Sequence, residues 1–416
     1  MNLNNRKITI TLCGDIAFCR GVEAYFLSNG SLPIEEELLR FLHKTDVFIG
    51  NLECPLTDNP TPKWHHFKTL KASIKSGEML RTLGLDAVSL ANNHIADYGQ
   101  RGLKDTIDYL QKSRIQWGGA GFSKKQAQRP IVITKNGYRI GVLNLAQPEI
   151  SAISNLGWGA AVLEPCSAVQ QMQKLVSETD IAIGFLHMGV EFFNYPTPNQ
   201  VALCRALIKA GARIVVCHHA HVPQGYEKYQ SGFIAYGLGN FLFDMKPIAN
   251  TDSRIGIVLR VSFDNLQIRD VELQPIETAN GYTCMLNHRR TLSSKADLKQ
   301  LSASLDDSEE LLKQHYFTCR DNMMIHVKAF FVYGLFRKNL LKMQDLFRQQ
   351  RWPQIFDMRR CLLRYLLTGD ALRHEHEKSR TPKTIESAVW RCLCVVGDLL
   401  GKIVPLHHSP HRNNLK

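Results

Sequence analysis

Up to about residue 275, short β-branched runs alternate along the chain with longer helical patterns. The runs at residues 8–13, 47–50, 87–90, 131–134, 140–145, 181–186, 213–217 and 233–236 are bounded by Gly, Asp, Asn or Pro, which predicts strands. Between them, residues 34–43, 102–113, 167–177 and 199–210 carry the apolar spacing of helices. Gly84 and Gly211 stand just ahead of strands, where a helix closes on a left-handed residue. Strands alternating with helices predict a layered α/β fold. Two further runs, 255–263 and 266–273, joined across Asp264 and Asn265, predict a closing hairpin.

After Asn280 the pattern changes. Residues 293–314 are polar, with an acidic patch at 306–310, and basic Leu- and Phe-rich helical segments follow at 323–350, 352–367 and 382–403. The expected organisation is a domain at residues 1–280 and a basic helical accessory region at 281–416. No internal repeat or low-complexity tract interrupts either part.

Composition sharpens this division. Of 416 residues, 44% are hydrophobic and 21% charged, which is globular usage and excludes a disordered or fibrous chain. The net charge is +13, yet residues 281–416 hold 23 basic and 13 acidic groups and so carry +10 of it. That region is expected to meet an anionic membrane surface or another polyanion, unless it is a helical bundle with a solvated basic face. Nucleic acid is not expected, since no zinc finger, aromatic RNA-binding motif or helix-turn-helix pattern occurs. The 11 cysteines are scattered, with no Cys-x-x-Cys pair, as expected for reduced thiols in a cytoplasmic protein. Residues 1–7 are polar, so no signal peptide is expected. The best apolar stretch, 325–341, is broken by Lys328, Arg337 and Lys338, which argues against a membrane span. The expected location is cytoplasmic, at most peripheral to the inner face of the membrane.

The chemistry lies where polar residues follow strands. Asp15 follows the first, Asn51 and Glu53 the second, and Asn92, Asn93 and His94 the third; His187 ends a later strand, and His218, His219 and His221 end another. Ligands bind at the C-terminal strand edge of α/β sheets. Oxygen and nitrogen donors gathered there without thiolates suit one or two divalent ions such as Mn, Fe or Zn.

The stretches that carry these residues are Gly14-Asp15, Asn51-Leu52-Glu53-Cys54-Pro55, Ser89-Leu90-Ala91-Asn92-Asn93-His94 with Asp97-Tyr98-Gly99 behind it, Gly119-Ala120-Gly121, His187-Met188-Gly189-Val190-Glu191, His218-His219-Ala220-His221-Val222 and Tyr236-Gly237-Leu238-Gly239-Asn240-Phe241. In this order, over roughly residues 8–260, the chain resembles the CapA family of poly-γ-glutamate capsule biosynthesis. That family's domain is similar to the calcineurin-like metallophosphoesterases. The resemblance implies a layered sandwich of two mixed β-sheets flanked by helices. It also implies a metal-dependent hydrolase of capsule or related polymer biosynthesis, acting on a phosphoester or amide with a metal-bound hydroxide as nucleophile. In that scheme Asp15 binds one metal and Asn93 the second, with His187, His219 and His221 completing the set. His94 stands beside them as general acid.

Two departures bear on that scheme. The usual Asp-x-His opening is here Asp15-Ile16-Ala17, which removes one imidazole. The usual bridging Asp is replaced, leaving neutral Asn51 and the longer Glu53 as the only candidates. The metal count therefore stays open between one and two. The alternative class is a non-catalytic binding or scaffolding component that keeps the fold.

Each residue also has an ordinary reading. Asp15 and the Asn92-Asn93 pair serve as caps or turn formers in many proteins, and Glu53 and Glu191 as solvated acids. His219 and His221 would point the same way on an extended chain, with His218, Asn51, Asn92 and Glu191 supporting the ligands or the substrate. The two glycines before Asn240 predict a turn that brings its amide to the site. His65 and His66 beside Trp64, and His407, His408 and His411, are expected to be solvated.

Overall fold

In the computed structural model the chain divides into two compact units, Met1–Arg320 and Asp321–Lys416. The structure describes residues 6–63, 69–148, 157–245, 253–286, 298–303 and 305, all within the first unit. The helical segments expected after residue 320, the histidines of residues 65–66 and those of the tail lie outside the described residues.

Along the chain the strands are β1 (Lys7–Ala17), β2 (Val47–Leu52), β3 (Ala87–Ser89), β4 (Gln116–Gly118), β5 (Ala120–Gly121), β6 (Ile131–Lys135), β7 (Tyr138–Ala146), β8 (Gly159–Ala160), β9 (Ile181–His187), β10 (Ile214–His218), β11 (Tyr226–Tyr229), β12 (Gly232–Ala235), β13 (Asn240–Phe243), β14 (Ile255–Asp264), β15 (Gln267–Ala279) and β16 (Tyr282–Met285). Among the described residues up to Met285 the α-helices are α1 (Gly21–Asn29), α2 (Glu36–His43), α3 (Glu78–Leu83), α4 (Gly99–Lys112), α5 (Lys124–Ala127), α6 (Pro165–Glu178) and α7 (Pro198–Lys209).

One sheet runs β16-β15-β14-β1-β2-β3-β4, with β13 also paired to β1, and a second runs β11-β12-β10-β9-β7-β6. Both are mixed. β1 is parallel to β2 and antiparallel to β14, while β9 is parallel to β7 and β10 and β6 is antiparallel to β7.

Side-chain alternation assigns the faces. Ile8, Ile10 and Leu12 of β1 share one buried cluster with Ile140, Val142, Ile183, Ile214 and Val216 of the second sheet, so the two sheets pack face to face. On the outer face of the first sheet, Phe48, Leu52 and Val88 meet Leu38 and Leu42 of α2 and Leu103, Ile107 and Leu110 of α4. The i, i+4, i+7 spacing of those α4 residues is why that segment is a helix lying on the sheet. Leu143, Val215 and Cys217 on the outer face of the second sheet meet Met172 and Leu175 of α6 and Cys204 and Leu207 of α7. α7 starts where Thr197 and Gln200 form a reciprocal capping box, with Pro198 in the first turn. The layered sandwich of two mixed sheets flanked by helices is the architecture of the described residues.

The hairpin of β14 and β15 forms as expected, but its turn centres on Asn265 and Leu266, both left-handed at φ 47° and 67°. β1 carries the feature that matters most for the site. A β-bulge breaks its pairing with β2 between Leu12 and Asp15. Leu12 faces the second sheet, so Asp15, three residues on, would face away from it in an unbroken strand; the bulge re-aims it inward. Only glycine fits the bulge. A Cβ at Gly14 would lie 1.9 Å from the Gly239 carbonyl oxygen, which instead accepts the Asp15 N–H at 3.0 Å. That contact seats the four-residue β13 beside β1, with Asn240 opposite Asp15.

Candidate metal centre

The strand registers set a polar row across each sheet. On the first sheet Asn240, Asp15, Asn51 and Ser89 stand opposite one another; on the second, Ala146, His187 and His218 do. The C-terminal ends of β1, β2, β9 and β10 and the first residue of β13 thus deliver Asp15, Asn51, His187, His218 and Asn240 to one place between the layers. Glu53 joins them because its N–H donates to the Ile16 carbonyl at 2.7 Å, which keeps the chain beside β1 just past the end of β2.

Two groups of donors result. Glu53, His187 and His219 form one, and Asp15, Glu53 and His221 the other; within each, the ligand atoms all lie within 4.8 Å of one another. Glu53 belongs to both. Asp15 and Glu53 have no solvent exposure, and His187, His219 and His221 almost none. Two buried carboxylates at that separation repel by roughly 3.5 kcal/mol at an effective dielectric of about 20. Nearby positive charge must offset that repulsion. The donor set, carboxylate and imidazole without thiolate, fits divalent cations of the Mn, Fe and Zn kind.

The surrounding groups orient these donors. Asn51 Nδ2 donates to Asp15 Oδ1 at 2.8 Å and lies 3.3 Å from His187 Nδ1. His187 Nε2 lies 2.8 Å from Asn93 Oδ1 and 3.7 Å from Glu53 Oε1. His221 Nδ1 meets Asn240 Oδ1 at 3.0 Å, and a proton on Nδ1 leaves Nε2, 3.7 Å from Glu53, as the lone-pair atom. Asn240 is itself held by the Ser253 carbonyl at 2.8 Å. His218 packs flat on Phe185, ring centroids 4.3 Å apart, with Nδ1 3.2 Å from Asp15 Oδ1. Burial pushes the Asp15 carboxyl up, but hydrogen bonds and charge from His218 and His221 outweigh it and hold Asp15 well below the usual carboxylate range.

Asn92 takes a structural part. Its amide donates to the Leu52 carbonyl at 2.7 Å, and its oxygen accepts the N–H groups of His94 and Ile95, fixing the turn that presents Asn93 and His94. His94 Nδ1 lies 2.7 Å from Asp97 Oδ2, and the same oxygen accepts the Leu70 N–H. Asp97 is the residue that sequence reasoning left out of the site. The signal was the His-x-x-Asp spacing, which places the two side chains on one side of a single turn. Glu191 lies half-buried in the loop after β9 and belongs to neither donor group. Ala17, where the phosphoesterase pattern has an imidazole, is buried and offers no donor.

His219 and His221 do not sit on an extended chain. Both are left-handed, at φ 84° and 57°, and their rings still face one another at 6.3 Å. The His219 N–H donates to Asp15 Oδ2 at 3.3 Å, so the turn is tied to the carboxylate it surrounds. Left-handed non-glycine residues cost energy and cluster where function requires them.

The sequence model of the family described as "Bacterial capsule synthesis protein PGA_cap" matches residues 9–245, more than half of the chain. The chain belongs to this family. The PGA_cap match contains both donor groups and the His94–Asp97 pair, while β14, β15 and β16 lie beyond it. Capsule biosynthesis protein CapA of Bacillus anthracis is 30% identical over 263 residues, covering 60% of this chain and 63% of that protein. PGA biosynthesis protein CapA of Bacillus subtilis is 31% identical over 260 residues, covering 60% of this chain and 66% of that one. The chain thus spans slightly less than two thirds of the length of either relative. Among solved structures, the 5'-nucleotidase precursor of Thermus thermophilus aligns with a TM-score of 0.40 at 14% identity, over 71% of this chain and 58% of that one, too distant for its activity to bear on this site. Among the described residues no helix is long and apolar enough to cross a membrane.

Proposed function

We propose that this PGA_cap chain is a divalent-metal-dependent hydrolase of capsule, poly-γ-glutamate or related polymer biosynthesis, cleaving a phosphoester or amide bond. The observation that carries this reading is that Glu53 belongs to both buried donor groups. Asp15, Glu53 and His221 would hold one cation, and Glu53, His187 and His219 a second, with the Asn93 amide beside His187. Bound there, such cations supply Lewis-acid polarisation and an acidified water. The names of the relatives support polymer biosynthesis as the setting.

The residues around the donors do the rest. His218 and Asn51 hold Asp15 ionised and oriented, and Asn240 turns the His221 ring. Asp97 accepts the His94 Nδ1 proton and orients the ring; in the imidazolium form Nε2 also carries a proton, which passes to the leaving group and leaves the neutral Nδ1–H tautomer. The His94 side chain is 13% exposed against 1% for Asp97, so the imidazole is the member of the pair a substrate reaches.

Replacing His94 by Asn tests this directly. Metal content and thermal stability are expected to stay near wild type, while turnover falls by ~10²–10⁴-fold, the usual contribution of a general acid. Normal polymer output from cells carrying only His94→Asn would remove the hydrolase reading and leave a binding or scaffolding component.

A further inference from the structure

Lys63 lies beside the His94–Asp97 pair, with its ammonium on Trp158, and neither residue belongs to the donor groups. The Lys63 N–H donates to the Asp97 carbonyl oxygen at 2.7 Å, so its backbone is one hydrogen bond from the residue that holds His94. Its ammonium sits over the ring of Trp158, 4.6 Å from the centroid. Trp158 is only 7% exposed and packs within the helix-side core of the first sheet, so it is a fixed platform. Lys71, by contrast, follows Leu70, whose N–H binds Asp97; its Nζ lies 5.1 Å from the ring centroid of Tyr98 and donates to the Asn59 carbonyl at 2.9 Å.

Lysine is normally a solvated surface cation, and half-burying it on an aromatic face has a cost. Burial lowers the Lys63 pKa, and the nearby Asp97 charge opposes that shift. A partly desolvated ammonium interacts more strongly with an arriving oxyanion than a fully hydrated one, because less water screens the pair. We propose that Lys63, seated on Trp158, binds a negatively charged carboxylate or phosphate group of the substrate next to the bond that His94 serves. The site thereby selects anionic chains over neutral ones. This rests on the hydrolase reading for the location of the reacting bond, but not for the binding itself.

The test is calorimetric binding to the full chain loaded with manganese, using three probes: tetraglutamate, tetraglutamine and inorganic triphosphate. The variants are Lys63→Met, which keeps the stem on Trp158, and Lys63→Arg, which keeps the charge. Wild type is expected to bind at least one anionic probe and to bind tetraglutamine at least ~10-fold more weakly. Lys63→Met should weaken the anionic probe by about tenfold, the scale of one charge-assisted hydrogen bond, and Lys63→Arg should recover most of that loss. Tetraglutamine binding, manganese content and melting temperature should not move. Lys63-dependence seen with tetraglutamate assigns a carboxylate, and with triphosphate alone a phosphate. The proposal is overturned if Lys63→Met binds both anionic probes as wild type does, if wild type binds neither, or if Lys63→Arg fails to recover while the melting temperature falls. Binding is read without turnover, so a chain that proved inactive would still answer.

Discussion

At the scale of single residues, the site is organised by how each charge is compensated. Asp15 illustrates the sign. Its folded pKa lies below its ordinary value of about 3.9, so its stabilising contribution is fully present above about pH 4 and is lost as pH falls through the lowered value. Asp15→Asn should therefore destabilise the metal-free protein more at pH 7 than at pH 3, as read by denaturant unfolding at the two pH values; an equal loss at both would contradict the ion pairing. Asp15, His187 and His221 are legible as candidate donors because each follows a β-branched run, where a charged or imidazole group has no packing role. Asp97 was not, since an Asp three residues after a His inside a loop has the composition of an ordinary turn. The left-handed backbone of His219 and His221 carried no sequence signal at all, because that conformation normally announces itself through Gly or Asn.

At the scale of elements, the bulge in β1 connects fold to site. Gly14 and Gly239 let two backbones meet where any side chain would collide, and that meeting aims Asp15 across the gap between the sheets. Gly14→Ala should cost about 3 kcal/mol, the upper range of overpacking, and lower metal affinity along with melting temperature; full metal binding at wild-type stability would show that the bulge is dispensable. Phe185→Ala should cost ~3–5 kcal/mol in the same assay, because it empties the centre of the inter-sheet core and removes the ring on which His218 rests. The long strands and the amphipathic helices α2, α4 and α6 could be read from spacing. α1 could not, because it buries only Val22 and Phe26 and leaves Leu27 48% exposed, so no apolar stripe marks it. β13 escaped as well, being four residues held in place by glycine contacts from distant parts of the chain rather than by its own pattern.

At the scale of the whole molecule, charge and chemistry are separated along the chain. The donor groups lie within residues 15–221, while residues 281–416 carry +10 of the +13 net charge. If that basic region meets an anionic surface, a chain ending at Arg320 should lose the salt-sensitive binding to phosphatidylserine vesicles that the full chain shows. Equal binding by both would return the region to a solvated helical bundle. One carboxylate, Glu53, would organise the proposed two-cation centre. Its most direct test is the metal content of the purified full chain and of Glu53→Gln after identical reconstitution with manganese, measured by elemental analysis alongside the melting temperature. Two cations per wild-type chain are expected, with loss of both and a lowered metal-dependent rise in melting temperature for Glu53→Gln. Wild-type metal content in a folded Glu53→Gln chain would contradict this role of Glu53.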